Sequence, residues 1–215
     1  MVAVQSPDVA FIVLMAGTGI PGDEILILQG QALLKAEGAD EKKLNWQRQV
    51  QSRILAVAKQ EKDNTVAEKK IKDIFQEETA KLPEEEKKEL EKVKSMAEGQ
   101  LKMVLSPWFR YFLSYDPRPT LMKVKCPVLA INGEKDVQVI AKINLDAIAK
   151  ALKEGGNQEV TTKEFLNLNH LFQTCKTGTV GEYGKIEETI SPAVLELMGD
   201  WILRHTGNRN TARDK

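Results

Sequence analysis

Hydrophobic positions are not spread evenly along this chain, and their spacing changes twice. Residues 1–17 are apolar, and "AFIVLMAG" is a continuous run without alternation, the pattern of a parallel strand buried on both faces. "SPD" before it reads as a turn. "MVAVQ" reads as the tail of a helix whose beginning is absent, because an isolated turn cannot meet its nucleation cost. From residue 22 to about 105 the spacing is helical. "GDEILILQGQALLKA" opens with acids, as the helix dipole prefers. Leu44, Gln47, Val50, Ile54 and Val57 recur at helical intervals, and so do Leu90, Val93, Ala97, Leu101 and Val104 after Pro83, a residue suited to a first helical position.

Beyond residue 106 the pattern alternates between the two periods. "SYDPRPTLMKVKCP", with Pro117, Pro119 and Pro127, reads as a loop, and "PVLAING" as a second buried strand. "INLDAIAKALKEGG" places Leu145, Ile148 and Leu152 on one helical face and ends on glycine. "QEVTTKEF" is β-branched and reads as a third strand. "SPAVLELMGDWILRHTG" reads as a helix with Ser191 as N-cap, Pro192 at the first position and Gly207 as the stop. Strands alternating with helices imply an α/β fold with a parallel sheet. The expected division is a core from 1–17 and 106–207, a helical insertion over 18–105 and a polar tail over 208–215.

Composition narrows the function. The 215 residues suit one large domain or a core with an insertion, and 42% hydrophobic content supplies that core. Lys plus Arg number 31 and Asp plus Glu number 31, so nothing argues for nucleic acid or an anionic membrane as partner. The lysine- and glutamate-rich stretch over 59–94 reads as a solvated helix face. Cys126 and Cys175 are expected as two reduced thiols. No apolar run reaches the roughly 18 residues of a membrane helix, and the first residues lack the basic region of a signal peptide.

Three stretches carry candidate chemistry. "GTGIPG", Gly17–Gly22, fits a dinucleotide fingerprint in form and follows a strand. The stretch after it is helical rather than a second strand ending in an acid, and Pro21 removes an amide, so it reads as a turn into the insertion. No cofactor is expected. Asp136 in "NGEKDVQV" follows the second strand by a few residues, with Gly133 allowing the chain to turn. His170 in "LNLNHLFQT" follows the third strand. Ligand sites of open parallel sheets lie beyond the carboxyl ends of the strands, so both groups fall on one edge. The Asp can bind one ring nitrogen and fix the tautomer, leaving the other nitrogen to face a nucleophile.

The remaining candidates read as structural. His205, the other histidine, sits in the last turn of a helix, where the dipole favours it. Cys175 follows the histidine without a strand-to-helix turn and is a weak nucleophile candidate. Trp108, Phe109 and Phe112 in "PWFRYFLSYD" pack the insertion against the sheet or wall a substrate pocket. His170 and the two cysteines do not have metal-ligand spacing, so no metal is expected.

"CPVLAINGEKDVQV", "FLNLNHLF" and "LMGDWILRHTG" together resemble the C-terminal half of an α/β-hydrolase, more narrowly the esterases and acyl-peptidases of the dienelactone hydrolase and serine aminopeptidase type. Gly133 and Asp136 match the family's G-x-x-D after the penultimate strand, and Asn169 and His170 match its polar residue before the histidine. The resemblance covers about 105–207 well and extends to 1–17, and it places 18–105 where the family inserts a helical cap. It implies a triad in the order nucleophile, acid, histidine, with Asp136 and His170 as the last two. It also implies a small ester or peptide-like acyl substrate. The nucleophile elbow G-x-S-x-G is absent: Ser6, Ser52, Ser95, Ser106, Ser114 and Ser191 all lie in other contexts. The expectation is therefore a hydrolase part that is inactive as given, its serine belonging just upstream of Met1. A different reading is a non-catalytic interaction protein that forms a homodimer, since a sheet cut short exposes an edge and an apolar face.

Overall fold

The computed structural model describes residues 2–87, 99 and 101–207. Leu90, Val93, Ala97 and Ser95 lie outside the described residues, as does the tail after Gly207. The fold is a predominantly helical α/β arrangement with one small parallel sheet. The chain separates into two compact units, Met1–Ile20 with Asp116–Lys215, and Pro21–Tyr115.

The first unit is built on three strands, β1 (Ile12–Met15), β2 (Val128–Gly133) and β3 (Val160–Phe165), in the order β1-β2-β3. Both pairings are parallel. β1 runs from Ile12 opposite Val128 to Met15 opposite Ile131, and β3 from Val160 opposite Val128 to Phe165 opposite Gly133. The central position of β2 explains why all six of its residues are buried. Alternate side chains leave opposite faces. Val128 and Ala130 meet Leu145, Ile148 and Leu152 from one side, while Leu129 and Ile131 meet Phe165, Phe172, Val194 and Trp201 from the other. The first group comes from α7 (Ala141–Glu154), and Val194 and Trp201 come from α9 (Pro192–Gly207), so a helix covers each face.

Three expectations need correction. β1 is half-buried rather than enclosed, with Met15 exposed, because among the described residues it is an edge strand paired only with β2. The proline-rich loop before β2 contains a short helix, α6 (Arg118–Leu121), since Pro119 fits a first helical turn. Pro83 sits one position before the helical turn at 84–87, where its carbonyl accepts the first bond from Lys87 N. Near the start of the chain lies a short helix, α1 (Val2–Gln5).

The second unit is helical: α2 (Gly22–Ala36), α3 (Glu41–Gln60), α4 (Asn64–Ala80) and α5 (Pro107–Ser114). Asp40, Asp63 and Ser106 cap α3, α4 and α5 by accepting amide bonds in the first turn. Leu55, Ala58, Ala67, Ile71, Leu105 and Leu113 form its core, so the aromatic helix α5 belongs here rather than with the sheet. Leu44 and Val50 are buried as their spacing requires, and Ile54 and Val57 pack half-buried against the core of Leu55 and its neighbours. Gln47 is turned to polar use, bonding Gln31 and Gln51. Lys–Glu pairs such as Lys72–Glu68 and Lys81–Glu77 line the exposed face. No helix among the described residues is long and apolar enough to cross a membrane.

Ile148 is fully buried on the face that α7 presents to β2. Its replacement by alanine is expected to lower stability by about 2–5 kcal/mol, read as a fall in the urea midpoint with little change in slope.

Candidate active site

Parallel pairing puts the carboxyl ends of β2 and β3 side by side, with Gly133 directly opposite Phe165. The loop after β2 carries Asp136, and the loop after β3 carries His170. Both loops are fixed chiefly by backbone bonds. Glu134 N donates to the Phe165 carbonyl at 2.8 Å, and Lys135 N to the Leu168 carbonyl at 2.9 Å. Buried Asn132 spans its own loop, donating from Nδ2 to the Val139 carbonyl at 2.8 Å and accepting from Gly133 N at 2.8 Å. A Cβ on Gly133 would lie 2.3 Å from the Leu168 carbonyl oxygen and 2.7 Å from that of Asn169, so only glycine permits the histidine loop to approach this closely.

The histidine loop is strained and anchored. Asn167 and Phe172 both hold φ of 60°. Asn tolerates that region, whereas Phe does not adopt it without cost. Phe172 is held there by its buried ring and by two bonds, its amide to the Asn169 carbonyl and its carbonyl from Ser191 N, at 3.0 and 2.9 Å. Asn169 is fully buried and organises the turn. Its Oδ1 accepts from Leu171 N at 2.9 Å and Gln173 N at 3.0 Å, and its Nδ2 donates to Gln173 Oε1 at 2.9 Å.

These constraints bring Asp136 Oδ2 and His170 Nδ1 to 2.8 Å. The Asp136 side chain is fully enclosed, and its other oxygen, Oδ1, accepts from Gln138 N and Val139 N, each at 2.8 Å. Two of these contacts use the carboxyl as acceptor, and an ionised carboxylate, which has no proton to give, accepts from the ring as well; that puts the proton of a neutral imidazole on Nδ1 and leaves the lone pair on Nε2. The His170 side chain is 27% exposed, and Nε2 has no hydrogen-bond partner among the described residues while remaining open to solvent. The pair is thus an oriented imidazole with an acid behind it and an available base in front.

The other candidates fall elsewhere. Cys175 is buried, its Sγ 3.4 Å from the Asn167 carbonyl, and burial raises its thiol above the ordinary range. That is the opposite of what a thiolate nucleophile needs. Both cysteines are free. The serine hydroxyls at 6, 52 and 106 are engaged locally with Asp8 N, the Arg48 carbonyl and Phe109 N. Trp108, Phe109 and Phe112 cluster in the helical unit, with Trp108 and Phe112 stacked at 6.0 Å between centroids and Trp108 69% exposed. His205 stacks on Trp201 at 3.9 Å and contacts that residue's carbonyl through Nδ1, a helix-end role. Among the described residues no group of acids, cysteines and histidines could hold a metal. A cleft lined by Val4, Pro7, Ala10, Lys125 and Pro127 lies at the amino ends of β1 and β2, the opposite edge from Asp136 and His170.

No protein-family model, curated protein or solved structure matches the chain.

One carboxylate that orders the chain beside the couple escaped the sequence reading. Glu182 lies on the short helix α8 (Val180–Tyr183) and accepts four bonds, from Lys176 N, Thr177 N, Thr177 Oγ1 and Gly178 N, at 2.8–3.0 Å. The only signal was a T-G-T turn with an acid shortly after it.

Two predictions follow from this geometry. In its neutral form His170 is expected to show a hydrogen-bonded Nδ1–H in 15N-resolved NMR, identified by its loss in His170→Ala. Asp136→Asn, which can offer an N–H in place of an acceptor, is expected to abolish that tautomer preference; an unchanged preference would show that Asp136 does not set it. The amides around Glu182, above all that of Lys176, hold its carboxyl down to about 2 from an ordinary 4.5. A lowered folded value stabilises the loop fully above about pH 4.5 and is lost as pH falls toward about 2. The Glu182 carboxyl carbon should titrate near that lower value, with amide protection at 176–178 fading over the same window.

Proposed function

We propose that this chain supplies the acid and the general base of a serine-hydrolase acyl transfer, as the C-terminal portion of an α/β-hydrolase with a helical cap. The observation that supports the reading is the Asp136–His170 contact at 2.8 Å at the carboxyl edge of a parallel sheet, with Nε2 left open. In that role His170 Nε2 takes the proton from a serine hydroxyl as the hydroxyl oxygen attacks an ester or peptide-like carbonyl. It then returns the proton to the leaving group. Asp136 keeps Nδ1 protonated and stabilises the imidazolium that forms between the two transfers, without taking the proton itself. Trp108, Phe109 and Phe112 are the proposed substrate-facing aromatics of the cap, a role suited to an apolar acyl group. Acyl transfer of this type needs no cofactor.

The nucleophile in this reading is a serine on a G-x-S-x-G turn that the 215 residues do not contain. Residual catalysis by an incomplete triad depends on substrate binding and an oxyanion hole. The chain and its His170→Ala variant are therefore expected to hydrolyse a short-chain p-nitrophenyl ester at equal, near-background rates. A clear rate lost in His170→Ala would mean that a local group is the nucleophile. The same assay on the chain joined to whatever precedes Met1 in its reading frame is expected to give a rate that needs His170 and falls by about 10⁴ in Asp136→Asn, as loss of the correct tautomer does in a serine triad. A frame without an upstream G-x-S-x-G, or an extended chain with no His170-dependent rate, sinks the hydrolase reading.

A further inference from the structure

The segment 175–184 has no part in the proton transfers, yet it touches both loops that carry the couple. At its start Cys175 N donates to the Asn167 carbonyl at 2.9 Å, on the histidine loop. In its middle Glu182 draws three successive amides, those of Lys176, Thr177 and Gly178, onto one carboxylate. Gly178 has a φ of 75°, and a Cβ there would lie 1.9 Å from the Lys135 carbonyl oxygen, so the segment is pressed against the acid loop. At its end Tyr183 Oη accepts from Gln138 Nε2 at 3.1 Å. The amide of that same Gln138 is one of the two donors on Asp136 Oδ1. Burial raises the Tyr183 phenol above its ordinary range, so its oxygen stays neutral beside Asp136. A continuous path of covalent and hydrogen bonds therefore runs from Glu182 through its neighbour Tyr183 and Gln138 to Asp136 and His170.

We infer that residues 175–184 form a brace that sets the geometry of the Asp136–His170 couple, with Glu182 as its pin and Tyr183 as its contact. Both are positioning residues, acting through Gln138 and the acid loop rather than on a reacting atom. The brace deepens the hydrolase reading, because the couple it holds is the one assigned there as acid and base.

The test is solvent exchange of the His170 Nδ1–H, measured by NMR on the full chain without substrate. Tyr183→Phe removes only the hydroxyl, and Glu182→Ala removes the pin. Each is expected to speed exchange of that proton by about tenfold, the factor that corresponds to loss of one hydrogen bond of ordinary net value. Ile148→Val, a modest core change elsewhere in the same unit, is the control for general loosening and is expected to leave the exchange rate unchanged. Faster exchange in either brace variant beyond the control supports the brace. Its absence in both, or an equal acceleration in the control, overturns it. If Glu182→Ala fails to fold, Tyr183→Phe decides alone. The readout is separable from catalysis: an active extended enzyme whose exchange ignores both substitutions loses the brace only, and a braced couple in an inactive extended chain loses the reaction only.

Discussion

At Gly133 two carbonyls of the histidine loop rest where any other residue would place its Cβ. The site depends on this close approach. It lets Lys135 N reach the Leu168 carbonyl, which brings the acid loop and the histidine loop into register. The parallel pairing of β2 and β3 delivers the two loops to the same edge, but pairing alone sets them only to within the length of a loop. The glycine contact and the backbone bonds around it reduce that freedom to one arrangement. A general base must be placed within a few tenths of an ångström of its target, and groups on loops achieve this only when the scaffold holds the loops.

Enclosing Asp136 has an energetic cost that the same loops offset. A carboxylate taken out of water loses several kcal/mol of solvation unless donors replace it. Gln138 N and Val139 N supply two charge-assisted bonds to one oxygen, and His170 supplies the third to the other. Those amides belong to the chain immediately after Asp136, so the loop solvates its own acid. The imidazole is then held by Oδ2, the oxygen that the loop amides leave to it, and Nε2 is the ring nitrogen without a partner among the described residues. Glu182 repeats the device on a larger scale, its carboxylate ordering three amides in sequence, those of 176–178.

Much of this was legible in the sequence, and the limits have physical reasons. The unbroken apolar run of β2 and the helical stripe Leu145, Ile148, Leu152 gave their elements and their burial directly, because a central strand and its covering helix leave no choice of face. β1 has the same apolar character, yet it lies at an edge, and strand order is not encoded in the hydropathy of one strand. Pro107–Ser114 falls by sequence within the expected core of 106–207, whereas in the structure it belongs to the helical unit. Only tertiary contact, with Leu113 in the helical core, assigns it. Asp136 and His170 were visible because each follows a strand at short range. Tyr183 and Gln138 were not, because their contact joins segments more than 40 residues apart and no local pattern marks such a pair, and Glu182 was not, because a short turn followed by an acid is too common a pattern to single out.

Most bonds that hold the couple are made by main-chain groups, and this shapes what the site can tolerate. Exposed side chains of these loops, such as Leu166 and Leu171, are free to vary without altering the path from β2 to His170. Among the exceptions are side chains that stand in for main chain: Asn132 bridging its loop, Asn169 closing the histidine turn, and Glu182 gathering the amides of 176–178. Each is an amide or a carboxylate that satisfies buried or converging peptide groups which no strand or helix could pair. The orientation of His170 is thus a property of the whole carboxyl edge of the sheet rather than of the Asp136 contact alone. An imidazole fixed in this way loses little freedom when it accepts a proton at Nε2, because Nδ1 and its acceptor are already in place.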